Sequence, residues 1–65
     1  MLVTINGEQT DLDDINTLAG LIEHLKVEGR IAVEVNREII PRSRFSQFTI
    51  NNGDVIEIVR AIGGG

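Results

Sequence analysis

The sequence predicts an α+β fold in which one main helix covers one face of a small mixed sheet of four to five strands. Three observations lead to this prediction. An Asn-Gly dipeptide joins two short strand-like segments near the start, one apolar stripe with helical spacing follows, and alternating apolar segments then return. A hairpin, a helix and further strands in this order are typical of a small α+β roll. The 65 residues have room for one domain.

The first element is a hairpin. Along residues 1–6, Val3 and Ile5 alternate with side chains of the other face, which indicates a strand with one buried side. Asn and Gly at positions 6 and 7 both tolerate positive φ and favour a two-residue turn. We therefore predict antiparallel strands over residues 1–6 and 8–12.

The second element is a helix of about three turns. Short polar side chains occupy much of the segment 13–17 and can accept hydrogen bonds from the unpaired amides of a helix start. Lys26 in the last turn and Gly29 just past it predict where the helix ends. Apolar residues recur between these limits at the spacing of one helix face, namely Leu18, Leu21, Ile22 and Leu25.

Further strands follow the helix. Alternation along residues 30–36 predicts a strand with one buried face, and Pro41 restricts the segment 37–42 to an edge strand or a bend. Alternation returns along residues 55–60, which predicts the last strand. We expect the first and last strands to lie side by side at the centre of the sheet, so that the carboxyl terminus leaves at the end of the sheet.

The core is expected to form between the apolar helix stripe and the inward side chains of the strands. These inward side chains are Val3, Ile5, Ile31, Val33, Val35, Ile56 and Ile58. Phe45 and Phe48 are spaced irregularly with Ile50, which indicates a loop or short helical turn whose aromatic side chains close the end of the core. A turn follows at residues 51–54, with Gly53 at positive φ.

Composition excludes several classes of function. The chain has no cysteine, which excludes disulfides, thiolate metal sites and cysteine nucleophiles. Its one histidine, His24, is predicted to lie on the helix surface, which argues against a histidine metal site or a Ser-His-Asp triad. No segment has the pattern of a membrane span or a signal peptide, so we expect a cytoplasmic protein.

The net charge of −4 is unevenly distributed along the chain. Up to Arg30, six acidic residues stand against two basic ones, and this excess would repel nucleic acid. A protein partner with a basic rim is favoured by the same excess, although a surface charged for solubility explains it equally well.

The sheet face turned away from the helix is a candidate partner surface. By alternation it carries Leu2, Thr4, Ala32, Val55, Glu57 and Val59. Exposed apolar patches commonly mark interfaces, but single exposed aliphatic side chains are also ordinary on a small domain. Arg60, at the junction with the glycine-rich end, could pair with an acidic group of a partner or remain solvated.

Three stretches resemble the ThiS family, the sulfur carrier proteins of thiamine biosynthesis, which have the β-grasp fold of ubiquitin-like proteins. They are "INGE" near the start, "VEVNREIIPR" in the middle and "INNGDVIEIVRAIGGG" at the end. The resemblance covers essentially the full length and implies a β-grasp domain over residues 1–59 with a flexible glycine tail over 60–65. The chain departs from the common pattern at Gly63, where many members have another small residue, and at Phe45, where the usual aromatic residue is often tryptophan.

The resemblance implies a carrier that acts as a cosubstrate and is not an enzyme, so we expect no catalytic residue, metal or bound cofactor in this chain. In family members an E1-like, ThiF-like adenylyltransferase uses ATP and magnesium to adenylate the carboxylate of the terminal glycine. A donor such as a cysteine desulfurase supplies sulfur, and the resulting thiocarboxylate delivers it to a ThiG-like thiazole synthase. Carried onto this chain, Gly65 is the residue that reacts, and Gly63 and Gly64 complete the tail motif.

Two alternatives stay open at this point. One is a sibling sulfur carrier that serves molybdopterin synthesis or tRNA thiolation; molybdopterin carriers tend to have a proline-containing segment where this chain has Arg60-Ala61-Ile62. The other is a β-grasp interaction module with an inert tail, since glycines at a terminus are often only flexible ends.

Overall fold

Residues 1–60 are described by a computed structural model, and within that range the chain forms five strands, one α-helix and one short 3-10 helix. The strands are β1 (Leu2–Ile5), β2 (Glu8–Asp11), β3 (Ile31–Val35), β4 (Glu38–Ile40) and β5 (Val55–Arg60). The α-helix α1 is Leu18–Leu25, and the 3-10 helix is Arg42–Arg44. The predicted mixed sheet with one main helix is confirmed.

The five strands form one sheet in the order β2-β1-β5-β3-β4. β1 is antiparallel to β2 and parallel to β5, with Ile5 opposite Ile56. β3 is antiparallel to both β4 and β5. The last strand therefore lies in the middle of the sheet with the first strand beside it, as the sequence predicts.

The turn between β1 and β2 has the geometry predicted for Asn-Gly. Asn6 has φ 49° and Gly7 has φ 85°, so both central residues are left-handed. This is the conformation that a type I′ hairpin requires, and it sets the register in which Ile5 faces Glu8. Glycine is favoured at position 7 because of this positive φ. Lack of space is not the reason, since an added Cβ would meet nothing within 4 Å.

The helix begins as predicted and ends earlier than predicted. The Thr17 hydroxyl caps it by accepting a hydrogen bond from the Gly20 amide at 3.1 Å. Lys26 takes a left-handed conformation with φ 56° and closes the helix after eight residues. The predictions of three turns, of Lys26 within the last turn and of Gly29 as the stop are therefore wrong.

The core lies between α1 and one face of the sheet. Its buried apolar residues are Val3, Ile5, Leu12, Leu18, Leu21, Val33, Val35, Ile40, Phe45, Ile50 and Ile56. Leu25, predicted to be buried, is 38% exposed because the helix ends there. Leu12, Ile40 and Ile50 are additional core residues that the predicted helix-sheet core did not include.

The segment after β4 closes the core at the start of the helix. Phe45 is buried and Phe48 packs against the core, as expected of the two aromatic side chains. The carbonyl of Phe48 accepts from the Leu18 amide at 3.1 Å, and the carbonyl of Phe45 accepts from the Ala19 amide at 3.0 Å. The segment therefore also satisfies two of the unpaired amides at the helix start.

Candidate functional site

The functional residues predicted at the carboxyl terminus follow the central strand of the sheet. Gly63, Gly64 and Gly65 lie outside the described residues. β5 includes Arg60, which the sequence assigned to the tail, because Arg60 pairs with Ile31 of β3. The end of β5 is thus the last described point before the predicted reactive residue.

Two asparagine side chains hold β5, one near each end. Near its carboxyl end, Asn6 Oδ1 accepts from the Ile58 amide at 2.8 Å and Asn6 Nδ2 donates to the Ile58 carbonyl at 3.2 Å. At its amino end, Asn36 Oδ1 accepts from the Val55 amide at 3.0 Å. Both asparagines have left-handed backbones, with φ 49° at Asn6 and 51° at Asn36.

Asp54 supports the amino end of β5 from a buried position. The side chain is 8% exposed, and its carboxylate accepts from Asn36 Nδ2 at 3.0 Å and from the Asn51 amide at 2.8 Å. The charged group therefore has hydrogen-bond partners on both oxygens, which offsets the cost of its burial.

The sheet face away from the helix carries four of the five predicted partner-binding residues. Leu2, Val55 and Val59 are 45%, 47% and 60% exposed, and Glu57 lies on the same face by strand alternation. Arg60 differs, because alternation along β5 places it with Ile56 and Ile58 on the helix side of the sheet. The structure therefore does not join Arg60 to the other four.

The same face carries residues that the predicted partner set lacked. Ile39 is 71% exposed and pairs with Glu34, which in turn pairs with Glu57. Ala32, opposite Val59, was already expected on this face. We call the resulting surface the outer patch, and it consists of Leu2, Ala32, Glu34, Ile39, Val55, Glu57 and Val59. Strand alternation around Glu34 and Ile39 could have indicated that both face outward. For Ile39 this signal was weaker, because Pro41 restricts its segment to an edge strand or a bend.

Two carboxylates face each other in the middle of the outer patch. Glu34 and Glu57 are direct cross-strand partners, an arrangement that disfavours folding because like charges are opposed. Across residues 1–60, the single ion pair within 4.0 Å joins the terminal amine to Asp11, so neither glutamate is paired there. Arg37 lines the same depression as the two glutamates. The patch thus combines an apolar surround with an acidic centre.

The described part of the chain shows no cluster of three or more side chains suited to hold a metal ion. Over the same range, no helix is long and apolar enough to cross a membrane. His24 is exposed on α1, as predicted.

Comparison with known proteins gives consistent matches over the chain. The model of the ThiS family matches residues 3–65. The sulfur carrier protein ThiS of Bacillus subtilis is 35% identical over 66 residues, which cover 98% of this chain and all of that protein. A crystal structure of a thiamine biosynthesis protein (ThiS) from Geobacter metallireducens matches with a TM-score of 0.84 at 32% identity, over all of both chains.

Two matched relatives, both thiazole synthases, are much longer than this chain. A thiazole synthase of Paramagnetospirillum magneticum is 44% identical over 66 residues, which cover all of this chain and 20% of that protein. The chain therefore spans about one fifth of the length of this relative.

Proposed function

Because the chain belongs to the ThiS family, the sulfur carriers of thiamine biosynthesis, we propose that the carboxylate of Gly65 is the group that carries the sulfur. The observation that supports this most directly is the extent of the family match, which runs to residue 65 and includes all three final glycines. The chain is then a cosubstrate of other enzymes, and ATP and magnesium act in the activating partner.

The proposed chemistry needs two steps at the same carbon. A carboxylate oxygen of Gly65 attacks the α-phosphate of ATP, pyrophosphate leaves, and an acyl-adenylate forms. The persulfide of a donor such as a cysteine desulfurase then attacks the carbonyl carbon, AMP leaves, and an acyl disulfide forms. A thiol attacks the donor-side sulfur of this S–S bond, which releases the thiocarboxylate of Gly65 and leaves the donor in a mixed disulfide with the thiol. Glycine suits both steps because the absence of Cβ lets the reacting backbone approach the partner closely.

The fold suits a donor whose reacting end is separated from its body. The domain, which we take as residues 1–59 with Arg60 completing β5, presents the tail from the central strand of the sheet. Five residues beyond Arg60 span at most about 17 Å, which lets Gly65 reach into a partner site that the folded body cannot enter. We assign this reaction to the cytoplasm.

The proposed partners differ in their support. A thiazole synthase as acceptor of the sulfur is supported by the relative in which a sequence like this chain occupies 20% of a protein named thiazole synthase. The E1-like adenylyltransferase and the sulfur donor follow from family membership alone.

The outer patch is the surface that we assign to the adenylyltransferase. Its exposed aliphatic side chains can be buried by a partner, and its two central carboxylates attract a basic side chain there. Arg60 lies on the other side of the sheet. It could contact the same partner only if that partner extends around the carboxyl end of β5.

Intact-mass measurement tests the reaction. The chain is incubated with ATP, magnesium, the adenylyltransferase of the same organism and a sulfide source. Replacement of one carboxylate oxygen by sulfur is expected to add about 16 Da, because sulfide takes the place of AMP on the activated carbonyl. The shift should require ATP and should vanish in a variant that lacks Gly65. A wild-type chain that gains no mass under these conditions would instead be an interaction module with an inert tail.

A further inference from the structure

The pairing between β1 and β5 continues beyond the end of β1 through a side chain. β1 ends at Ile5, opposite Ile56, and the chain then turns away at Asn6. The Asn6 amide still donates to the Ile56 carbonyl at 2.9 Å. Its side chain then supplies both an acceptor and a donor to Ile58, at 2.8 and 3.2 Å. A primary amide offers the same two groups as a peptide unit, so Asn6 acts as one additional residue of β1.

Position 6 combines two demands that asparagine meets together. The turn needs a left-handed backbone, which asparagine adopts more readily than most residues that carry a Cβ. The contact with Ile58 needs an acceptor and a donor on one short side chain. Aspartate offers acceptors only, and glycine offers neither group.

The contact matters because of its place on β5. On the β3 side, Ile58 and Arg60 lie opposite Val33 and Ile31. On the other side, the backbone pairing of β1 with β5 ends at Ile56, so Asn6 alone extends it to Ile58. A strand end held on one side opens locally more easily than one held on both sides.

We propose that Asn6 is a positioning residue for the reaction at the carboxyl terminus. By fixing Ile58 from the β1 side, Asn6 sets the position and direction from which residues 61–65 leave the domain. A fixed departure point lowers the entropy that the partner must remove when it brings the reacting end to ATP. This inference rests on the proposed function of Gly65.

The test compares Asn6→Gly with Thr17→Ala. Asn6→Gly preserves the left-handed turn and removes the side-chain contacts. Thr17→Ala also removes a hydrogen bond from a side chain to a backbone amide, but it does so at the helix start, away from β5 and the outer patch. Amide hydrogen exchange and urea unfolding are measured on both variants, together with the kcat/KM of ATP-dependent sulfur loading.

The two variants should separate positioning from stability. In Asn6→Gly the Ile58 amide loses its acceptor. Its hydrogen exchange should become roughly tenfold faster than the change in global stability alone would make it. We expect kcat/KM for loading to fall about fivefold or more in Asn6→Gly and to stay within about twofold in Thr17→Ala. Asn6→Asp, which keeps an acceptor for the Ile58 amide, should fall between wild type and Asn6→Gly.

Other outcomes overturn either the inference or the proposed function. If loading by Asn6→Gly matches wild type, or falls only in proportion to stability as in Thr17→Ala, the positioning role is refuted while sulfur loading stands. If Asn6→Gly does not fold, the same criteria apply to Asn6→Asp. If the wild-type chain gains no sulfur, the proposed function is refuted, and the positioning role is refuted with it. This holds even if the Ile58 amide exchanges at different rates in wild type and Asn6→Gly.

Discussion

At the scale of single residues, Asp54 shows how a buried charge can serve a structural purpose. Its carboxylate satisfies the Asn51 amide and the Asn36 side chain, and the latter in turn holds the Val55 amide. We predict that Asp54→Ala lowers the free energy of unfolding by about 1–3 kcal/mol, because a partly buried backbone amide and a side-chain donor lose their acceptor. Urea unfolding followed by circular dichroism measures the change.

Asp11→Ala is the matched control for Asp54→Ala. Asp11 has a side chain that is 78% exposed and pairs with the terminal amine at 3.3 Å, so its removal should cost no more than about 1 kcal/mol. Equal losses in the two variants would show that the hydrogen-bond network around Asp54 adds no stability of its own.

The role of Asp54 could not be predicted from the sequence. The letters "NNGD" predict a turn with Gly53 at positive φ, and the structure has φ 89° there. Asn36 lies 18 positions earlier, and nothing local indicates that its side chain meets Asp54. The conformation of a turn depends on the residues within it, whereas this contact depends on the pairing of β3 with β5.

At the scale of elements, the strands were more predictable than the limits of the helix. Alternation gives the inward residues of β1, β3 and β5 because a strand with one buried face repeats every two residues. The helix stripe predicts the burial of Leu18 and Leu21 correctly and that of Leu25 wrongly. The reason is that Lys26 ends the helix in a left-handed conformation, which lysine rarely adopts. Gly63–Gly65 were identified by resemblance, and their role stays a prediction.

The two leucines of α1 give a prediction on the helix itself. Leu21 is fully buried and Leu25 is 38% exposed, so the same substitution tests two environments on one element. Leu21→Ala should lower the free energy of unfolding by about 2–5 kcal/mol, because it leaves a cavity beneath the helix. That loss approaches the total of about 3–10 kcal/mol typical of a domain this size.

Leu25→Ala should cost less than half as much as Leu21→Ala, because more than a third of the Leu25 surface already lies in solvent. Both variants are compared by their urea unfolding midpoints, and the slope of the unfolding free energy against urea concentration is checked to be the same. A cost for Leu25→Ala as large as that for Leu21→Ala would mean that the helix packs on the sheet further toward its carboxyl end than the structure shows.

At the scale of the whole molecule, one face of the sheet builds the core, and we propose the other for recognition. The helix covers the inner face, whereas the outer patch leaves aliphatic side chains and two opposed carboxylates exposed. The opposed carboxylates work against folding even with Arg37 lining the same depression, and we propose that they serve a contact made outside the fold. Two copies of this chain would not supply that contact through their outer patches, since four carboxylates would then meet. A partner with a basic side chain inside an apolar surround would supply it.

Glu57→Gln should therefore stabilise the domain and weaken activation at the same time. Removing the repulsion of Glu34 should raise the free energy of unfolding by about 0.2–1 kcal/mol. Loss of the attraction to a basic side chain should raise the KM for the adenylyltransferase severalfold and reduce its dependence on salt. Glu8→Gln makes the same change in net charge on β2, outside the outer patch, and should leave both quantities nearly unchanged. If the two variants raise KM equally, net charge and not the outer patch attracts the partner; if neither raises it, the adenylyltransferase binds elsewhere on the domain.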